Sequence, residues 1–186
     1  MNTQPYISRI RIKNFRNFRR ADFWLSDKQV IIGENAVEKT NLLYAVQLIL
    51  DPTLSDKDRM LEESDFWEGL PDPMTSGEEI VIELYFSNFE GNKNILAQLM
   101  DATVMLDGKE SLKLTFKFYP SKPIADRHEY NYIIFKGDDM TRRFSYEDRK
   151  YLNIRVIKAI RDVESEIGPS FFSSPLRDQS PFHPWR

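Results

Sequence analysis

The sequence has no cysteine among its 186 residues. This absence excludes disulfide bridges and thiolate metal sites, and it suits a reducing compartment. Only two histidines occur, His128 and His183, and neither stands in a metal or nucleophile pattern, so we expect surface roles for both. A strongly basic balance is also missing, because 26 basic and 29 acidic residues give a formal net charge of −3. That charge implies no nucleic-acid partner and leaves room only for a local basic strip.

Long apolar runs are missing as well. Residues 1–5 do not begin a basic region followed by an apolar run, and no apolar stretch approaches the ~20 residues that a membrane span needs. We therefore expect a soluble, cytoplasmic protein. The chain does contain 41% hydrophobic and 13% aromatic residues, which is enough for one packed core. We expect one domain over residues 1–167 and an irregular, proline- and serine-rich tail over residues 168–186.

Hydrophobic periodicity predicts both strands and helices. Alternation with a period of two is clearest over residues 78–88, where Ile80, Ile82 and Leu84 share one face. A helical period predicts a largely buried helix over residues 41–50, which ends at Asp51-Pro52, and a short helix over residues 92–102. Strands are predicted over residues 6–14, 21–25, 29–32, 78–88, 112–118, 130–135 and 154–160, with an antiparallel meander between 78 and 135.

The segment that organises the rest is a strand-like run, a turn and the start of the long helix. Gly33, Lys39 and Thr40 fit a phosphate-binding loop, in which backbone N–H groups wrap the phosphates, the lysine reaches the terminal phosphates and the hydroxyl ligates Mg²⁺. A chance turn between a strand and a helix is the alternative, but the order of strand, turn, Lys-Thr and apolar helix favours a nucleotide loop.

Position 38 departs from that pattern. Glycine before the lysine lets the backbone approach the phosphates, whereas Glu38 adds bulk and a like charge. Two unit charges about 4 Å apart repel by about 4 kcal/mol at an effective dielectric of about 20, which corresponds to about three decades in affinity. The sequence therefore predicts weak or lost ATP binding.

Three other charged segments have ordinary interpretations. The basic and aromatic residues 15–20 are of a kind that contacts phosphate or DNA, yet composition favours a solvated turn with two core phenylalanines. The acidic residues between 62 and 68 are expected to form a solvated helix face. Asp138-Asp139 follows an apolar run, as the Mg²⁺-holding acids of such ATPases do, but the intervening Lys136-Gly137 favours a hairpin turn.

Several stretches together resemble the N-terminal ATPase part of OLD-family (overcoming lysogenization defect) ATP-dependent endonucleases. They are residues 10–18, the loop and helix start at 32–43, and the segment 65–70, which reads Asp-Phe-Trp-Glu-Gly-Leu. The first two also resemble the wider RecF and SMC-like ABC ATPases. Residues 156–162 and 174–177 look like the OLD family too.

The resemblance implies an ABC-type head in which two copies sandwich ATP, with a Toprim-type nuclease domain acting on DNA in phage defence or repair. It implies that Lys39 binds the β and γ phosphates, that Thr40 binds Mg²⁺ and that Asn35 lines the loop. Arg16 and Asn17 would lie close to the nucleotide. The implied partners are a second copy, or a partner ATPase or nuclease chain, and DNA only through that assembly.

Other family motifs are missing before Arg186: the signature motif, the strand ending in the catalytic Asp-Glu, and the acidic Toprim residues. We therefore expect an α/β fold, the incomplete first lobe of an ABC ATPase head, with a mixed sheet and an antiparallel β portion. The leading interpretation is a nucleotide-binding lobe without independent catalysis. Two alternatives stay open, namely an interaction protein that pairs with and regulates a full-length relative, and an ATPase completed by a second polypeptide.

Overall fold

The structure is a computed structural model, and it describes residues 4–32, 36–124 and 127–154. These residues belong to one compact unit that ends at Ile154. Several expectations lie outside them: the predicted strand beyond Ile154, the boundary at 167, the tail and His183. Inside them, every helix is too short or too polar to span a membrane.

A six-stranded sheet forms the body of this unit, and all pairings between its strands are antiparallel. Ile80, Ile82 and Leu84 are fully buried on its inner face, as the alternating pattern predicts. The strand order is β2-β1-β3-β5, and β5 then pairs with both β4 and β6. The strands are β1 (Tyr6–Phe15), β2 (Phe18–Trp24), β3 (Ile80–Ser87), β4 (Thr103–Leu106), β5 (Lys109–Ile124) and β6 (Arg127–Lys136).

The sheet differs from the predicted mixed sheet, because all its described strand pairings are antiparallel. The antiparallel portion is confirmed, but residues 29–32 form no strand, and the prediction of one there was wrong. Val30, Ile31 and Ile32 are 78%, 50% and 89% exposed. A strand needs a neighbour for its backbone hydrogen bonds, and within the described residues both sides of β1 are already taken by β2 and β3. β-Branched composition alone did not produce a strand.

The long helix α1 (Ala36–Leu50) begins earlier than its predicted start at residue 41. It ends just before Asp51-Pro52, as predicted. The helix is buried on one side only, since Val37 is 61% and Leu43 is 42% exposed. The buried apolar residues of the helix are Leu42, Ala45, Val46, Leu48, Ile49 and Leu50.

Two shorter helices complete the described part. The predicted helix over 92–102 is α3 (Lys93–Leu99) followed by one 3₁₀ turn, and Asn92 caps it by accepting from the backbone N–H of Ile95 at 3.2 Å. The short α2 (Asp56–Arg59) and strand β4 were not predicted. Both are only four residues long, too short to show a hydrophobic period.

The C-terminal end of α1 is capped by arginines from outside the helix. Its last turn has no basic residue. Instead, Arg59 donates to the carbonyl oxygens of Leu48, Asp51 and Leu54, and Arg149 donates from Nε to the carbonyl oxygen of Ile49 at 2.9 Å. Positive charge at this end opposes the partial negative charge of the helix dipole. The two buried guanidinium groups therefore satisfy carbonyl oxygens in the last turn of α1.

Candidate functional site

The β1–β2 hairpin turns through only two residues, Arg16 and Asn17, between the paired Phe15 and Phe18. Arg16 has a φ of 49°, in the left-handed region that non-glycine residues rarely adopt. Such a conformation costs on the order of 1–2 kcal/mol and persists where surrounding contacts hold it. The side-chain contacts of Arg16 hold it in this conformation.

The Arg16 side chain joins this hairpin to α1 and to the acidic segment. Its Nε donates to Asp65 Oδ1 at 2.9 Å, and a terminal nitrogen donates to Asn41 Oδ1 at 2.9 Å. Asn41 in turn donates from Nδ2 to Asn17 Oδ1 at 2.8 Å. Because Asn41 directly follows Thr40 in α1, this network places the hairpin turn beside the start of the helix.

Aromatic rings enclose the Arg16 guanidinium. Its central carbon lies 4.5 Å from the Tyr44 ring centroid and 5.3 Å from that of Phe15, within the range of cation–π attraction. Burial, and then the Asp65 carboxylate, raise the pKa of the Tyr44 phenol. The composition-based expectation of a solvated turn is wrong for Arg16, although Phe15 is a core residue as expected.

The segment after Asp65 packs on the same hairpin. Phe66 forms an isolated bridge with Phe15, and the Trp67 backbone N–H donates to the Asn14 carbonyl oxygen at 3.0 Å. A Cβ at Gly69 would lie 2.0 Å from the Trp67 ring, so this close approach requires glycine. The described parts of three stretches that carry the family resemblance, residues 10–18, 32–43 and 65–70, therefore contact one another.

The acidic residues between 62 and 68 form the predicted solvated helix face only in part. Residues Glu63–Asp65 form one 3₁₀ turn, and the Asp65 side chain is only 14% exposed because it pairs with Arg16. Glu62, Glu63 and Glu68 are exposed, as expected for a solvated face. Asn41 and Asp65 are the residues that sequence reasoning missed. The signal for Asn41 was a polar residue at the start of a run of apolar helix positions.

The predicted loop residues are only partly described. Gly33 and Asn35 lie outside the described residues. Lys39 is half-buried and Thr40 exposed in the first turns of α1, and both have contacts. Glu38 is exposed in the first helical turn, where its negative charge is favourable towards the helix dipole.

The Asp138-Asp139 pair forms a turn, as predicted. Asp138 makes an ion pair with Lys113 at 2.7 Å, and Asp139 accepts from both the backbone N–H and the hydroxyl of Thr141. Gly137, with a φ of 65°, begins the turn that follows β6. Both carboxylates thus have partners within the turn and its neighbouring strand. Over the ranges that the structure describes, no group of three or more acidic or histidine side chains is placed to hold a metal ion.

Comparison with curated proteins finds relatives that process DNA. The chain is 36% identical over 87 residues to endonuclease GajA of Bacillus cereus (strain VD045), a match that covers 47% of this chain and 14% of that protein. It is 33% identical over 99 residues to the DNA replication and repair protein RecF of Bacillus thuringiensis (strain Al Hakam), covering 50% of this chain and 26% of RecF. RecF of Bacillus anthracis (strain CDC 684 / NRRL 3495) matches equally well. The chain thus spans a minor part of each relative.

A family model gives the broader assignment. The model described as AAA ATPase domain matches residues 6–168, which includes the whole sheet, α1 and the Arg16 network. Together with the RecF relatives, this match supports the RecF and SMC-like group of ATPases. The chain belongs to the AAA ATPase domain family.

Proposed function

We propose that this chain is the N-terminal nucleotide-binding lobe of an OLD-type, DNA-processing ATP-dependent endonuclease. The observation that carries the proposal is the link from Arg16 through Asn41 to Asn17, which holds the β1–β2 turn against the start of α1. The endonuclease relative and the RecF relatives, which are named as DNA replication and repair proteins, support a role with DNA. We propose that this role lies in phage defence or repair. DNA is engaged through the full assembly.

In this proposal the ligand is ATP with Mg²⁺. Gly33 and Asn35 line the loop, Lys39 binds the β and γ phosphates, and Thr40 holds Mg²⁺ through its hydroxyl. The position of Lys39 and Thr40 in the first turns of α1 fits these roles, because a helix N-terminus favours anions. Arg16 and Asn17 lie beside the same helix and complete the site.

Glu38 weakens this site in two ways. The helix includes Ala36, Val37 and Glu38, so the residues that would wrap a phosphate follow a helical path instead. Glycine at position 38 would favour an open loop, because glycine costs about 1 kcal/mol in a helix relative to alanine. The Glu38 carboxylate also supplies the negative charge that the helix N-terminus would otherwise draw from a phosphate.

Titration of the full chain with labelled ATP and Mg²⁺ tests both parts of the proposal. We expect weak binding for the natural sequence, partial recovery in Glu38→Gln, which removes only the charge, and stronger recovery in Glu38→Gly. Lys39→Ala in the Glu38→Gly background should abolish it. Micromolar binding by the natural sequence contradicts the effect of Glu38, whereas no binding by any variant contradicts a nucleotide-binding lobe.

One observation favours a second candidate, a lobe that acts by pairing with another polypeptide. The apolar residues Val30, Ile31 and Ile32 are more exposed than core-type residues usually are, directly before the nucleotide loop. We propose that a second copy or a partner ATPase or nuclease chain covers them. Co-purification with a co-expressed full-length relative is the expected result, lost in Ile32→Asp and kept in the control Met105→Asp. Failure of the natural chain to co-purify would exclude this candidate.

A further inference from the structure

A cavity of about 800 Å³ lies at the opposite end of α1 from the nucleotide loop. It is bounded by α2, by β6 and by the segment that follows β6, and its volume suits a small-molecule ligand. Since α1 has 15 residues, the two ends of the helix are about 22 Å apart at 1.5 Å per residue. This cavity is therefore separate from the proposed ATP site.

Arg149 is the buried cation of the cavity. The residue is only 9% exposed, and its Nε is occupied by the Ile49 carbonyl oxygen. Among the described residues, its two terminal nitrogens have no hydrogen-bond acceptor. Burial, reinforced by the nearby Arg59, lowers the pKa of Arg149 to about 10. Neither terminal nitrogen is among the buried polar atoms without a partner in the described part of the chain, so both reach the cavity, where their N–H donors can meet an anionic ligand.

Two further cations line the same cavity. Lys57 and Arg143 are exposed and make no ion pair with any described residue. The one carboxylate among the described lining residues, Asp56, already accepts a hydrogen bond from the Tyr132 hydroxyl at 2.6 Å. Three cations against one carboxylate leave a formal charge of +2 on the described lining.

We propose that this cavity binds the phosphate group of a small molecule, held by Arg149 with Arg143 and Lys57. A phosphate dianion matches the charge of the lining, whereas a single carboxylate neutralises half of it. The guanidinium fork presents parallel N–H donors that fit phosphate oxygens. Tyr146, 63% exposed at the rim, offers an aromatic face beside them.

The ligand would also be linked to the nucleotide helix. Arg149 contacts the cavity with its terminal nitrogens and the last turn of α1 with its Nε. An anion that holds the guanidinium in place therefore stabilises the C-terminal cap of that helix. Binding at this cavity should raise the midpoint of thermal unfolding, because a ligand that binds only the folded state stabilises it.

Isothermal titration of the full chain with pyrophosphate tests the proposal. We expect binding by the natural chain, an at least tenfold weaker Kd in the double variant Lys57→Gln/Arg143→Gln, and no change in the control double variant Lys28→Gln/Lys109→Gln. The first pair makes no side-chain hydrogen bond or ion pair with described residues, so its loss should leave the fold intact. Arg149→Lys keeps the charge but loses the fork, and it should weaken binding as well.

Lys39→Ala separates this cavity from the nucleotide loop. Pyrophosphate binding that survives Lys39→Ala and falls in Lys57→Gln/Arg143→Gln supports the proposal. Binding lost in Lys39→Ala, equal in both double variants, or absent from the natural chain overturns it. A parallel titration with AMP identifies the source: tighter binding of AMP points to a nucleotide, and binding of pyrophosphate alone points to an inorganic phosphate.

Discussion

The guanidinium of Arg16 donates to the side-chain oxygen of Asn41 at 2.9 Å, although the two residues are 25 positions apart. The same guanidinium pairs with Asp65. One side chain therefore connects a hairpin turn, the first part of α1 and the acidic segment before Trp67. Removing this side chain should therefore lower the stability of the fold and change the proposed ATP site.

Arg16→Ala should lower the free energy of unfolding by about 1 to 2 kcal/mol, because it removes charge-assisted hydrogen bonds and leaves Asp65 without its cation. Urea denaturation measures the change. The control is Arg20→Ala on the same hairpin, since Arg20 is exposed and makes no ion pair within the described ranges. We expect it to stay within about 0.5 kcal/mol of the natural chain. Equal effects of the two substitutions would contradict a holding role for Arg16.

Arg59→Met should destabilise the fold more strongly, by about 2 to 4 kcal/mol. Arg59 is 4% exposed and donates to the carbonyl oxygens of Leu48 in α1 and of Asp51 and Leu54 just after it, so its removal leaves acceptors without donors. Lys57→Met on the same short helix is the matched control, because Lys57 is exposed. Thermal unfolding followed by far-ultraviolet circular dichroism reports the difference. A similar midpoint for both variants would show that the arginine cap is dispensable.

Alkaline pH should weaken the fold through Tyr130. Burial raises the pKa of its phenol to about 12, and its hydroxyl donates to the Glu78 carbonyl oxygen at 2.7 Å. Because the folded-state pKa exceeds the unfolded value of about 10, this stabilisation is complete below pH ~10 and is lost as the pH rises through ~12. The natural chain should therefore exceed Tyr130→Phe in stability at pH 8, and the gap should narrow above pH 10.

Denaturant titrations at several pH values give these gaps directly. Tyr119→Phe serves as the control, since the Tyr119 hydroxyl makes no hydrogen bond within the described residues. The Tyr119→Phe variant keeps both Tyr130 and Tyr132, whose pKa is also raised to about 12. Its stability should therefore fall with rising pH in parallel with that of the natural chain. A constant gap between the natural chain and Tyr130→Phe across the range would contradict the assignment.

Lys13→Glu should stabilise the sheet by about 0.5 kcal/mol. Lys13 and Arg20 are directly opposite each other on β1 and β2, and like charges in that position repel. Lys13→Gln removes only the repulsion and should gain less than Lys13→Glu. The gain should shrink in about 1 M salt, where the screening length is about 3 Å. A destabilised Lys13→Glu variant would contradict repulsion between Lys13 and Arg20.

The strands that sequence patterns predict well are those whose burial alternates. The prediction over residues 78–88 and the observed β3 (Ile80–Ser87) nearly coincide, because each inward residue is buried by the core. Residues 29–32 have the same β-branched composition, but no neighbouring strand within the described residues pairs with them. Composition records what a segment prefers, and pairing decides whether the preference is satisfied.

In the candidate site, too, sequence reasoning reached some residues and missed others. The family resemblance implies that Arg16 and Asn17 lie close to the nucleotide, and this stays a prediction. The structure places both side chains in contact with Asn41 of α1. The parts played by Asn41 and Asp65 were not foreseen, because Arg16 and Asp65 are 49 positions apart and local periodicity carries no information on such pairs. The early start of α1 was missed because its first residues were read as part of the loop.

The placement of β2 and β3 on either side of β1 has a consequence for how the chain tolerates cutting and joining. Everything between them, residues 25–79 with α1 and α2, leaves the sheet from one neighbour of β1 and returns on the other. A cut in the exposed stretch near residue 30 would leave β1 and β2 in one fragment and β3 to β6 in the other, with no strand divided. The sheet could then reassemble from two fragments, which makes this lobe a natural candidate for splitting and complementation at that point.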